Sequence, residues 1–146
     1  MRDFLQLALP FVGIIALFFS CRSGKNSPDS YEKKQLIFGS GGGFMGTNEQ
    51  FVLLDNGRLY TQDVMKDEYE EIGRVPKKMC KTLFQRADTL EIESTRFMNP
   101  GNKYFYLEVK NPSNQNRVTW GDSNTPIDEE YRHFYRKLMD LIRDKK

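Results

Sequence analysis

The 146-residue chain sets 22 Lys and Arg against 20 Asp and Glu, a formal charge of +2 at pH 7. Both signs are interspersed rather than blocked, which argues against a nucleic-acid partner. With one histidine, His133, no two-histidine zinc site can be built.

Arg2 is followed by an apolar run over 4–19, broken by Gln6 and Pro10, and then by Ser20-Cys21. At a helical rise of 1.5 Å that run reaches about 24 Å, short of the ~30 Å hydrocarbon core. A cleaved export signal therefore fits better than a transmembrane helix. Phe18-Phe19-Ser20-Cys21 resembles the cleavage box of a bacterial lipoprotein signal. The resemblance implies a signal peptide over 1–20 and Cys21 as the first mature residue, carrying a covalent diacylglycerol and an acyl chain such as palmitate. It also implies a lipid anchor in the cell envelope. Arg22 stands where inner-membrane lipoproteins carry Asp, so the outer membrane is expected, with the domain facing periplasm or exterior. Leu is usual at the place of Phe18, and ordinary signal cleavage or an uncleaved anchor remain the alternatives.

Residues 21–30 read as a flexible tether, polar and rich in Ser, Gly, Asn and Pro. About ten such residues span roughly 17 Å on average. Loss of the signal removes Arg2 and Asp3, which cancel. Residues 31–146 have the size of one domain with a single core. With Cys21 lipidated only Cys80 remains, so no intramolecular disulfide forms.

The spacing predicts a short strand over 34–39, then strands over 50–54 and 58–62 around Asp55-Asn56-Gly57, where Asn-Gly suits a type I′ hairpin turn. A weaker strand over 69–74 leads to Pro76. A helix follows with Met79, Cys80, Leu83, Phe84, Ala87 and Leu90 on one apolar face. Residues 92–97 read as strand or loop, and 99–102 as a type II turn with Pro100 and Gly101. Residues 103–110 alternate, placing Phe105, Leu107 and Val109 on one face and Tyr104, Tyr106 and Glu108 on the other. The partner strand is expected over 116–121, with Val118 and Trp120 continuing the apolar face. Thr125-Pro126-Ile127-Asp128 supplies a capping hydroxyl, a proline and a carboxylate for a last helix striped by Ile127, Tyr131, Phe134, Leu138, Leu141 and Ile142. Two groups of strands, each closed by a helix, imply an α+β fold: a curled antiparallel sheet with two helices packed on one face.

Gly41, Gly43 and Gly46 match a G-x-G-x-x-G pattern, but a dinucleotide site needs that motif to open a helix, and the residues after it read as strand. A backbone role for the glycines, at a bulge or a tight crossing of strands, is the better reading. Gly42-Gly43-Phe44-Met45-Gly46 resembles the glycine-rich segment of the emfourin family, small inhibitors of thermolysin-like zinc metallopeptidases. The order of elements over 104–142, with Asp122 and Pro126 in the loop before the last helix, is similar as well. The segment over 55–75 is longer than that family's pattern, and emfourins are typically not lipidated. The resemblance implies a secreted or envelope metallopeptidase as protein partner, with the metal belonging to that partner and no cofactor in this chain.

Catalytic constellations are mostly absent. Glu130 and His133 have E-x-x-H spacing without the second copy a carboxylate-bridged metal site requires. Cys80 reads as a buried structural thiol, with a reactive one as the alternative. The acidic pairs Asp67-Glu68 and Glu70-Glu71 read as an exposed stretch beside a turn. If Phe105 faces the helices, Tyr104 and Tyr106 face outward near Phe97 and Met98, and Tyr, Phe and Met are interface-prone types. The expectation is a non-enzymatic, membrane-anchored protein-binding domain. Its candidate contact residues are Gly42, Gly43, Phe44, Met45, Gly46, Phe97, Met98, Tyr104 and Tyr106. The alternative is a structural or envelope-assembly lipoprotein in which the glycines and tyrosines serve packing alone.

Overall fold

A computed structural model describes residues 27–145. The expected signal over 1–20, the lipid-bearing Cys21 and the tether as far as Asn26 lie outside the described residues. The end of the stretch expected to be tether belongs to the folded domain. Pro28–Ser30 forms a 3-10 turn with Pro28 buried, and the Gln35 amide donates to the Pro28 carbonyl at 2.9 Å. Tyr31 donates its hydroxyl to the Asp55 carboxylate.

Seven strands and two helices follow: β1 Gln35–Gly42, β2 Thr47–Leu54, β3 Arg58–Asp63, β4 Glu68–Arg74, α1 Lys77–Thr89, β5 Met98–Asn99, β6 Lys103–Lys110, β7 Gln115–Trp120 and α2 Glu129–Arg143. The strands form one sheet in the order β4-β3-β2-β1-β6-β7-β5, curled but not closed. The architecture is the expected α+β fold, with one refinement. Every pairing is antiparallel except β5 with β7, whose two-residue parallel pairing makes the sheet mixed. β5 is too short for period-2 patterning to reveal it.

The two sheet faces differ. On one, Leu36, Phe38, Phe51, Leu53, Leu59, Leu107, Val109, Val118 and Trp120 pack against Cys80, Leu83, Phe84 and Ala87 of α1 and Phe134, Leu138 and Ile142 of α2. This is the core that the alternation in β6 and the helical stripes predicted. The opposite face carries a second, smaller cluster of Ile37, Val52, Leu54, Tyr60 and Tyr106, with Tyr31, Tyr69 and Tyr104 against it. A central strand such as β1 is buried on both faces, so its sequence runs apolar instead of alternating.

Local details depart from the sequence reading at four points. The β2–β3 turn is not type I′. Gly57 has φ +89° but Asn56 is not in the positive-φ region, and the Gly57 N–H donates to the Leu54 carbonyl at 2.9 Å. That is a three-residue loop, a turn closed by a left-handed glycine. Gly101 also lacks positive φ, so no type II turn forms there. Glycine is needed because a Cβ would lie 2.4 Å from the Gly121 carbonyl oxygen. Asp128, not Thr125, caps α2, its carboxylate accepting from the Glu130 N–H at 2.9 Å. The Thr125 hydroxyl donates to Asp122 instead. Met79, expected on the apolar face of α1, is exposed. Among the described residues no helix is long and apolar enough to cross a membrane.

Candidate protein-contact rim

β1 enters the sheet at Gln35 and ends at Gly42, about 23 Å further on. There the chain reverses through residues 43–46. Gly42, Gly43 and Gly46 take φ of +79°, +81° and +59°, a backbone that residues with a Cβ adopt only at a cost. The Gly46 N–H donates to the Gly43 carbonyl at 3.0 Å, which sets Phe44 and Met45 at the two central positions of a tight turn. The Gly43 N–H donates to the Asn102 carbonyl at 2.7 Å. A Cβ on Gly42 would lie 2.2 Å from that same carbonyl oxygen. The base of the turn is thus held against the chain entering β6, while Phe44 is fully exposed and Met45 84 % exposed. The G-x-G-x-x-G pattern leads into strand β2, not a helix, and so lacks the helix N-terminus that receives a pyrophosphate.

The two tyrosines expected to be exposed behave differently. β1 and β6 pair with Gly41 opposite Tyr104 and Gly39 opposite Tyr106. A Cβ on Gly41 would lie 2.5 Å from the Tyr104 hydroxyl oxygen, and one on Gly39 would lie 2.7 Å from that of Tyr106. Both side chains therefore lean across β1 over its glycines. The Tyr106 hydroxyl reaches β2 and donates to Gln50 Oε1 at 2.8 Å. The Arg117 guanidinium sits 4.1 Å from the Tyr106 ring centroid and pairs with the buried Glu108 carboxylate. Tyr106 does point away from the helices, but it is buried, not available to a partner. Tyr104 is half-buried beside it. Phe97 packs partly into the main core, whereas Met98 on β5 is exposed at 63 %. Gly-x-Gly in one strand and Tyr-x-Tyr in another was the signal for this arrangement, and only the register brings them together.

Sequence reasoning also missed a second tip. Gln50 pairs with Gln62, so β3 ends at the same end of the sheet as the glycine turn, and residues 64–67 connect it to β4. Val64 is exposed there and Met65 is 98 % exposed. Met98 pairs with Thr119, beside Trp120, which pairs with Phe105 near the start of β6. Phe44, Met45, Val64 and Met65 therefore stand at one end of the sheet, and Met98, level with Gly39 on the β5 edge, continues that rim. Among the described residues the other large apolar side chain that is exposed is Met79, on α1, whose Cys80 lies by the Leu54 carbonyl at the opposite end.

A polar chain braces this rim. Tyr106 donates to Gln50, Gln50 to Gln62, and Gln62 to Asp67 Oδ1 at 2.8 Å. The series crosses from β6 to the second tip, each amide donating onward to the next acceptor. Asp67 adopts φ 54°, tolerable because Asp enters the left-handed region more readily than most residues. In the same turn Asp63 accepts from the Met65 and Lys66 N–H groups at 3.1 and 3.3 Å. The Lys66 ammonium beside it holds its carboxyl below the ordinary range.

Among the described residues, the titratable side chains singled out from the sequence stand apart from one another. Among the described residues no cluster of three or more His, Cys, Asp and Glu side chains is placed to hold a metal ion. His133 is exposed on α2, and Glu130 pairs with Arg86 of α1. Cys80 is buried with its sulfur 3.6 Å from the Leu54 and Asp55 carbonyl oxygens, and burial pushes its thiol pKa up, as suits a structural cysteine. Glu71 lies between Arg58 and Arg74, at 3.6 and 3.7 Å. No protein-family model matches the chain, and comparison with curated proteins finds no match.

Proposed function

We propose that the chain is an envelope lipoprotein whose folded part is a non-catalytic protein-binding domain, docking through the rim of Phe44, Met45, Val64, Met65 and Met98. One observation carries the reading: of the six exposed large apolar side chains among the described residues, four stand on two hairpin tips at one end of the sheet and a fifth, Met98, on the adjoining β5 edge. Solvent gives no reason to concentrate them there, whereas aromatic residues and methionine are what protein interfaces recruit. The glycine turn is also held at its base, so presenting Phe44 and Met45 to a partner costs little ordering. The chain following a lipid at Cys21 would join the folded domain at residue 27, ahead of β1, which begins at the far end of the sheet from this tip.

The resemblance of residues 42–46 to the emfourin segment supports a thermolysin-type zinc metallopeptidase as the partner. The metal would be the enzyme's. Titrating the mature domain against thermolysin-like enzymes tests this: stoichiometric loss of peptidase activity supports inhibition, and an unaffected panel refutes it. Loss of that inhibition in F44S/M45S, with the fold intact, would assign it to the glycine turn.

The second reading, a structural or envelope-assembly lipoprotein, is favoured by Tyr106 and by Gly39 and Gly41, all of which are engaged in packing within the sheet. Under it F44S/M45S would leave every interaction of the protein unchanged.

A further inference from the structure

Methionine is ordinarily a filler of irregular core space. Here Met45, Met65 and Met98 stand on the rim, in two hairpin turns and on a sheet edge where there is no core to fill. Of the other described methionines, Met79 is less exposed than any of these three, and Met139 packs against the core. A thioether needs no deprotonation to react with an oxygen donor, so access governs which methionines are attacked first. Among the described residues the competing thiol is withdrawn, because Cys80 is buried.

We propose that the rim is an oxidation site, at which two-electron oxidants of the hypochlorous acid and peroxide class convert Met45, Met65 and Met98 to sulfoxides ahead of the other described methionines while the fold stays intact. With hypochlorous acid, the thioether sulfur gives two electrons to chlorine and gains one oxygen, and chloride and a proton leave. With a peroxide, the distal oxygen is transferred and the O–O bond breaks; hydrogen peroxide leaves water. Each event places a sulfoxide acceptor where the rim had an apolar tip, leaving Phe44 and Val64 as its large apolar side chains. No hydrogen bond within the sheet is lost, because the Met45 and Met65 side chains project from their turns. Resting on the docking reading, the same chemistry would release a partner under oxidative stress, and methionine sulfoxide reductases would restore the contact.

The full mature chain in detergent, treated with limiting hydrogen peroxide and mapped by peptide mass, tests the site. Met65 and Met45, followed by Met98, should take up oxygen at least about fivefold faster than Met139, with the near-ultraviolet circular dichroism unchanged. The M45L/M65L/M98L variant should lose most of the chain's fast oxygen uptake. Oxidation spread evenly over all five methionines, loss of the near-ultraviolet signal in step with rim oxidation, or unchanged uptake by the triple variant would each overturn the proposal. No partner enters this experiment, so its failure leaves the docking reading standing, and failure of the docking reading leaves this result unaffected.

Discussion

Gly39 has an ordinary φ, so substituting it tests packing separately from backbone strain. An alanine Cβ there would lie 2.0 Å from the Glu49 carbonyl oxygen and 2.7 Å from the Tyr106 hydroxyl oxygen. Ordinary heavy-atom contacts are about 3.5 Å, so β2 would have to move away by more than an ångström, or β1 twist out of register. Overpacking of this kind costs about 1–3 kcal/mol. Displacing the Tyr106 hydroxyl from Gln50 adds about 1 kcal/mol. Gly39→Ala should therefore lower stability by about 2–4 kcal/mol, moving the urea midpoint down by about 1–2 M at the slope usual for a small domain. Gly43→Ala is the control. Its Cβ would meet nothing within 4 Å, but φ there is +81°, so its cost is backbone strain alone, about 1–2 kcal/mol. A Gly39→Ala midpoint within ~0.3 M of the parent would refute the account of Tyr106 lying across β1, which rests on that close approach.

Arg117→Ala removes the cationic partner of Glu108, whose side chain is 2 % exposed. It should destabilise by about 2–4 kcal/mol in denaturant titration, and Glu108→Gln in the same background should recover part of that, because the cost is an uncompensated buried charge. F44S/M45S touches only exposed positions and should shift stability by no more than about 0.5 kcal/mol, a larger loss in thermal or urea unfolding showing that the tip belongs to the core. Burial pushes the Tyr135 phenol up to about 12 and that of Tyr106 further still. The unfolded chain would release these protons near pH 10 while the folded one keeps them, so their stabilising contribution is complete below pH 10 and is lost as pH rises through the folded values. Stability measured from pH 9 to 12 should fall, with phenolate absorbance lagging that of denatured protein; coincident titrations would contradict the burial. Cys80 should resist a thiol reagent until the domain unfolds, so rapid labelling under native conditions would place its sulfur elsewhere than beneath α1.

Periodicity reads local burial well. The alternation in β6 assigned Phe105, Leu107 and Val109 to the helical side, and the stripe on α2 identified Phe134, Leu138 and Ile142. Both succeeded because side-chain direction follows from backbone geometry within one element. The same alternation misjudged Tyr106, because facing away from the helices is not the same as facing water. Whether a second face is wet depends on its neighbours: Tyr106 leans over glycines in β1 to an amide in β2, with a guanidinium from β7 against its ring. The exposed tip at Phe44 and Met45 was legible because the glycines bracket it. Val64 and Met65 were not, since nothing nearby in sequence distinguishes their turn from any other polar connection.

Element type, the apolar faces of the helices and the position of the glycine turn were determined by the chain order alone, through propensity, periodicity and the freedom of residues without a Cβ. Strand register decided the rest. It set Tyr104 and Tyr106 opposite the β1 glycines, and it brought two hairpin tips, far apart in the chain, to one end of the sheet, with a short parallel edge adjoining them. Pairings between distant segments follow from the closing of the whole sheet around its core, which no local pattern encodes.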